Sequence, residues 1–311
     1  MGSRLVGCAV LAAAVSVSCA SPPAESRPLP PNSFAFAVFG DGPYYWSEQR
    51  RFALLIEDVN RADVEWLVHV GDLMWGRCTD GALALRLEAL RRVRHPVLYT
   101  PGDNEWTDCH SRGGFRPLDR LQRIRSTYFA VPSRSVAGAP MPVESQSANP
   151  AWKEFVENAR WRRGGFLFVT VHMVGSYNGT RRFQGRTAAD DSAVVRRTAA
   201  ALQWLETAFA IAKAESLSGV VIASHANPRF VGEPNGVFSA FVKRVEDLTR
   251  EFRGQVLFIH GDTHEYTVDH PLPLENFTRL ETYGSPDIGW VRVVVDSAAR
   301  RITEIEPRLI D

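Results

Sequence analysis

Short apolar runs recur along the chain, and each gives way abruptly to a polar, loop-like stretch. Residues 34–39 run into Gly40-Asp41-Gly42-Pro43, 66–70 into Gly71-Asp72, and 96–100 into Pro101-Gly102-Asp103-Asn104-Glu105. Residues 165–173, 219–223 and 255–259 repeat the pattern, bounded by glycine. Apolar runs this short predict buried strands. Between them the period changes. Residues 47–61 carry Phe52, Leu55, Ile56 and Val59 at helical spacing, and 81–92 are rich in Leu, Ala and Arg. Residues 188–215 open on Asp190 and Asp191 and close near Lys213, the polarity a helix dipole favours. Residues 237–252 predict another helix. From Glu265 onward the pattern returns to strands, at 266–268, 277–283, 291–295 and 302–305. Strand and helix alternating, then a strand-rich end, predict an α/β fold with mixed sheets in one domain, residues 34–311. Residues 106–160, dense in Pro, Ser and Arg, read as a long insertion over one rim.

Ahead of residue 34 the pattern is of another kind. A basic start at residues 1–4 precedes an apolar run at 5–17, shorter than the roughly 20 residues of a membrane span. A signal peptide over 1–18 and export from a bacterial cell are the expectation. Ser16-Val17-Ser18-Cys19 resembles a lipobox, which would lipidate Cys19 and hold the protein at a membrane; plain secretion is the alternative, since Ser16 stands where an aliphatic residue is usual. Residues 19–33, with five prolines, read as a flexible tether.

Composition narrows the classes further. With 45% hydrophobic and 23% charged residues the chain is an ordinary globular protein. Its formal charge of +1 falls to zero without the first 18 residues, whose one charged side chain is Arg4. That balance excludes a general nucleic-acid binder and leaves the N-terminal lipid as the one expected membrane contact. Cys78 and Cys109 remain in the mature body. In an exported protein such a pair predicts a disulfide, with two buried thiols as the alternative.

The chemistry lies where the strands end. Gly40-Asp41, Gly71-Asp72 and Gly102-Asp103 each close a strand, and Gly261-Asp262-Thr263-His264 closes a fourth. One Gly-Asp is an ordinary turn, but four at strand ends predict convergence on a single rim, where open α/β sheets bind ligands. Four gathered carboxylates need compensation, because like charges repel and burial sharpens the repulsion. No lysine adjoins any of them. Two divalent cations would supply it, with His225, at the end of the 219–223 strand, and His264 completing the coordination.

This order of blocks resembles the calcineurin-like metallophosphoesterases, whose Asp-x-His, Gly-Asp, Gly-Asn-His-Glu/Asp, lone His and Gly-His-x-His blocks match it from about residue 34 to 284. Gln203-Trp204-Leu205-Glu206, ahead of His225, is also similar. The resemblance implies two mixed β-sheets packed as a sandwich and flanked by helices, a four-layer αββα arrangement. It implies a first metal on Asp41 and His264, a bridge through Asp72, and a second metal on His225, with Asp103 and Asp262 standing where the family has Asn and His. Pro43 and Asn104 replace two of the family's histidines, and Trp75 stands where the second block often ends in Asp or Asn. Replacing His and Asn by Asp hardens the site, so Mg²⁺, Mn²⁺ or Ca²⁺ suit it better than Zn²⁺, with Fe also admissible.

The implied activity is hydrolysis of a phosphate ester, on a small molecule or a nucleotide, by in-line attack of a metal-bridging hydroxide. Asn104 would donate a hydrogen bond to the transition state, and His172, at a strand end, is the candidate acid or supporting residue. His69 and His260 are expected in core or supporting positions, and His110 on a solvated loop. Arg77 and Arg112, which follow the second and third blocks, are candidate phosphate clamps or solvated surface. Cys78 and Cys109 follow Asp72 and Asp103 by the same six residues, so their bridge would staple two site loops. The competing reading is an exported lipoprotein without catalysis that keeps the fold and binds a ligand or partner. Substrate and oligomeric state have no signature in the sequence.

Overall fold

The computed structural model describes residues 28–230 and 236–311. The signal peptide expected over residues 1–18, the lipidation expected at Cys19 and most of the expected tether lie outside the described residues. The last of the tether passes into the fold, where Leu29 packs against the core and the first strand begins at Ser33.

In chain order the elements are β1 (Ser33–Phe39), α1 (Gln49–Arg61), β2 (Leu67–His69), α2 (Asp80–Arg91), β3 (Val97–Tyr99), α3 (Pro117–Tyr128), β4 (Glu144–Ser145), β5 (Ala159–Arg163) and β6 (Phe166–Thr170). There follow a single turn α4 (Gly175–Asn178), α5 (Ala188–Ala214), β7 (Gly219–Ala223), α6 (Ser239–Arg250), β8 (Gln255–His260), β9 (Thr267–Asp269), β10 (Phe277–Glu281), β11 (Gly289–Asp296) and β12 (Arg301–Leu309). Local chemistry sets several boundaries. The Thr79 hydroxyl accepts from Ala82 N to cap α2, Pro117 opens α3, and Thr187 with Asp190 forms a capping box on α5.

Two mixed sheets result. One has the order β12-β11-β1-β2-β3, the other β4-β5-β6-β7-β8-β10-β9. Strands β1, β2 and β3 run parallel, as do β6, β7, β8 and β10, so each sheet gathers parallel C-terminal ends on one edge. Alternation along β1 divides the core. Phe34, Phe36 and Val38 face the second sheet, where they meet Phe166, Phe168, Val221 and Ile259; Ala35, Ala37 and Phe39 face α1, α2 and α3. Stacked aromatic pairs fill the space between the sheets, Phe36 on Trp66 at 5.6 Å and Trp161 on Phe168 at 5.5 Å. On the far side Trp204, Leu205 and Phe209 of α5, with Phe241 and Val245 of α6, cover the second sheet. The molecule is a four-layer αββα sandwich.

The segment 106–160 is more than a rim insertion. Leu121, Ile124 and Tyr128 of α3 are buried in the first core, and β4 and β5 edge the second sheet. Spacings of three and four residues give α3 an apolar stripe that its surrounding arginines obscure in the sequence.

Candidate metal centre

The C-terminal ends of the parallel strands from both sheets meet at one rim. Asp41 follows β1, Asp72 follows β2, Asp103 follows β3, His225 follows β7, and Asp262 and His264 follow β8. Asp41 and His225 are fully buried, Asp72 and Asp103 nearly so. The ligand atoms of Asp41, Asp72 and His225 lie within 4.8 Å of one another, and so do those of Asp103, His225 and Asp262. His225 Nε2 is 2.9 Å from Asp103 Oδ1, 3.4 Å from Asp72 Oδ1 and 3.8 Å from Asp262 Oδ1. His264 Nε2 stands 3.6 Å from Asp41 Oδ1. All six residues named from the sequence therefore gather, and His225, where the resemblance has Asp72 as the bridge, belongs to both triads.

Backbone geometry holds these side chains in place. Asp41, Asp72, Asp262 and His264 have φ of 53°, 56°, 78° and 66°, a left-handed conformation that costs a non-glycine residue of order 1–3 kcal/mol. The neighbouring glycines do more than turn the chain. A methyl group on Gly102 would lie 2.1 Å from Asp72 Oδ1, and one on Gly261 only 1.9 Å from Asp41 Oδ2. Each Gly-Asp pair thus offers one carboxylate and leaves room for the carboxylate of another. Amides close the arrangement: Asp262 N donates to Asp41 Oδ1 at 3.1 Å, and Asn104 N to Asp72 Oδ1 at 2.9 Å.

The electrostatics call for positive charge. Burial raises the Asp41, Asp72 and Asp262 carboxyls, Asp41 and Asp72 well above the usual range, and neighbouring carboxylates add to the rise in all three. Burial also lifts Asp103, but the hydrogen bond and charge of His225 bring it below its ordinary value. Burial pushes the His225 imidazole down, yet the charge of Asp72 and the hydrogen bond to Asp103 carry it well above. The donor set fits divalent cations on a second count. His225 Nδ1 donates to Val70 O at 2.9 Å and His264 Nδ1 to Ser285 O at 2.7 Å, so both imidazoles turn Nε2 toward the carboxylates. A backbone carbonyl on the far nitrogen is how proteins orient a metal-binding histidine.

Three further groups, to which the sequence assigned no role, support the cluster. The Tyr44 hydroxyl donates to Asp72 Oδ2 at 2.8 Å, accepts from Asn104 Nδ2 at 2.9 Å and lies 3.4 Å from His264 Nε2. It adjoins Pro43, the position at which the resemblance implies a histidine. Glu105, fully buried, accepts from Tyr99 Oη and from Gly102 N, fixing the turn that presents Asp103. The Ser176 hydroxyl, from α4, lies 2.6 Å from Asp103 Oδ2 and 2.7 Å from Asp108 Oδ1. Tyr44 adjoins Pro43 and Glu105 closes the third block, which were the available signals; Ser176 had none.

Other residues fall elsewhere. His172 does not join the cluster: its ring is fully buried, Nδ1 donates to Glu157 Oε1 at 2.7 Å, and its face meets Trp106. Of the two roles expected of it, acid or supporting residue, the first does not fit this burial and pairing, because a strand-end position fixed neither the direction of its side chain nor its partner. His69 and His260 are core residues bonded to Gly71 N and Gly261 O. His110 stacks on Phe183. Arg77 is exposed, whereas Arg112 is half-buried against Asn104. Cys78 and Cys109 form a disulfide with Cα atoms 5.6 Å apart.

No protein-family model matches the sequence, and no curated protein does. Solved structures do match. A dimetal phosphatase from Danio rerio aligns over 89% of this chain and 99% of its own, with a TM-score of 0.54 and 13% identity. The calcineurin-like phosphoesterase YfkN from Bacillus subtilis aligns over 91% of each chain, with a TM-score of 0.48 and 12% identity. Likeness at this identity speaks to fold alone. This chain shares the fold of the dimetal phosphatase.

Proposed function

We propose that the protein is an exported, metal-dependent hydrolase of phosphate esters. The observation that carries this reading is the gathering of Asp41, Asp72, Asp103, Asp262, His225 and His264 at one rim of a phosphoesterase fold. Asp41, Asp72 and His225 would hold one divalent cation, and Asp103, His225 and Asp262 a second, with His264 completing the shell beside Asp41. When bound, two such cations lower the pKa of a water for in-line attack and neutralise charge developing on the phosphoryl oxygens. Oxygen-rich donors favour Mg²⁺, Mn²⁺ or Ca²⁺ over Zn²⁺.

The chain's own residues supply the rest. Glu105 and the glycines fix the carboxylates, and the backbone carbonyls of Val70 and Ser285 hold the imidazoles in the ligating tautomer. Tyr44 and Asn104 present a phenol and a carboxamide where the family has imidazoles. Asn104 Nδ2 keeps a second hydrogen that can donate to a phosphoryl or leaving-group oxygen, whereas the Tyr44 proton is given to Asp72 Oδ2. The apolar run at residues 5–17 and Cys19 support export, with a lipid on Cys19 as the membrane anchor. The test is turnover of p-nitrophenyl phosphate and bis-p-nitrophenyl phosphate by the purified mature domain across added Mn²⁺, Mg²⁺, Ca²⁺ and Zn²⁺. Metal-dependent release that Asp72→Asn abolishes is expected. Metal bound without turnover of either ester would instead favour a ligand-binding lipoprotein.

A further inference from the structure

Arg112 is held beside the candidate metal centre by three contacts from three directions. Its Nη1 donates to Asn104 Oδ1 at 2.5 Å, and its Nη2 lies 3.4 Å from Asp108 Oδ2. The guanidinium carbon sits 3.5 Å from the centroid of the Trp75 ring, and side-chain exposure is down to 14%. The disulfide brings the two partners together, since Cys78 lies three residues beyond Trp75 and Cys109 three before Arg112. From Arg112 a hydrogen-bonded chain runs inward: Arg112 to Asn104 Oδ1, Asn104 Nδ2 to the Tyr44 hydroxyl, and that hydroxyl to Asp72 Oδ2. The guanidinium therefore stands three hydrogen bonds from a central carboxylate of the candidate metal site.

This arrangement does not serve the fold alone. An arginine that only neutralised Asp108 would have no need of an aromatic face, and Arg181 already approaches the same carboxylate at 3.6 Å. A guanidinium carries five N–H donors, and the two contacts to Asn104 and Asp108 leave others for a ligand. Stacking on an indole fixes the plane of the fork and leaves its edge donors free. Trp75, 49% exposed, places the pair at the solvent side of the cluster.

We propose that Arg112, with its plane set by Trp75, binds a non-bridging oxygen of the substrate's phosphoryl group beside the metal centre. The inference rests on the phosphoesterase reading of that site. Phosphate oxyanions accept two parallel N–H bonds from a guanidinium, which a lysine ammonium cannot reproduce. Asn104 serves as its positioning residue, its carboxamide oriented by accepting from Arg112 and donating to Tyr44.

The experiment is calorimetric titration of inorganic phosphate into the metal-loaded protein, with metal content and thermal midpoint measured alongside. Arg112→Ala is expected to weaken phosphate binding by about tenfold or more, the size of a lost charge-assisted hydrogen bond, with metal content unchanged. Trp75→Ala is expected to weaken it by a smaller factor. Unchanged phosphate affinity in Arg112→Ala overturns the proposal, as does a metal-loaded wild type that binds no phosphate. Where Arg112→Ala loses its metal, Arg112→Lys decides: weakened phosphate binding supports the fork, and wild-type binding overturns it. Hydrolysis and phosphate binding indifferent to Arg112 would sink this inference and spare the phosphoesterase reading. Phosphate bound through Arg112 with no hydrolysis of any ester would do the reverse.

Discussion

The disulfide yields a prediction whose size follows from the chain itself. Cys78 and Cys109 are 31 residues apart, and their bond closes a loop that spans α2 and β3. Cross-linking a loop of that length removes chain entropy from the unfolded state equivalent to about 3.7 kcal/mol at 25 °C. Both half-cystines are fully buried, so replacing them with alanine introduces no unpaired polar group. For a folded body of this size the loss corresponds to roughly 6 °C in the thermal midpoint. The assay compares calorimetric melts of wild type and the Cys78→Ala/Cys109→Ala protein, with wild type repeated under reductant. Metal content is expected to survive, because Asp72 and Asp103 are held by β2, β3 and the Asn104 amide rather than by the sulfurs. A double variant that melts within about 1 °C of wild type would refute the reasoning, since loop closure would then contribute nothing measurable.

Gly261→Ala would set a methyl group 1.9 Å from Asp41 Oδ2; the expected outcome is a loss of about 1–3 kcal/mol of stability in urea unfolding, with reduced metal content. His172 is fully buried and depressed to about 4 by burial, against an ordinary value of 6.5. The unfolded chain therefore binds the extra proton first, and stability falls as pH drops from 6.5 toward 4, by roughly 3 kcal/mol from this group at the limit. His172→Gln should flatten that part of the urea-stability profile against pH, and a profile identical to wild type would count against the assignment. Glu157 contributes over a lower range: burial lifts its carboxyl, but the Arg125 charge and the His172 hydrogen bond depress it to about 2. Its stabilisation is present above the ordinary carboxylate value and is lost as pH falls from about 4.5 to about 2, so Glu157→Gln should abolish that acid step.

The legible part of the molecule was its strand ends. Apolar runs closed by Gly-Asp fixed where β1, β2, β3 and β8 stop, and a parallel strand's C-terminal end is where a fold of this class exposes its side chains. Six residues spread from position 41 to 264 were thereby assigned to one rim. Contacts that depend on tertiary packing were out of reach. Tyr44 meets partners 28, 60 and 220 residues away, and no local pattern encodes such a meeting. His172 shows the converse, since its place after β6 was readable but its pairing with Glu157 depends on β5 lying alongside. The α3 helix was hidden by composition: Arg116, Arg120, Arg123 and Arg125 around Leu121 and Ile124 made an amphipathic stripe look like part of an insertion over the rim.

Calorimetric titration of Mn²⁺ into metal-free protein, in buffers of different ionisation heat, tests the cation centre directly. Carboxyls held above their usual range and a protonated His225 must give up protons as the ion enters. The account predicts two ions per chain, protons released on binding, and loss of both effects in Asp72→Asn. Absence of binding, or binding that Asp72→Asn leaves untouched, would contradict it.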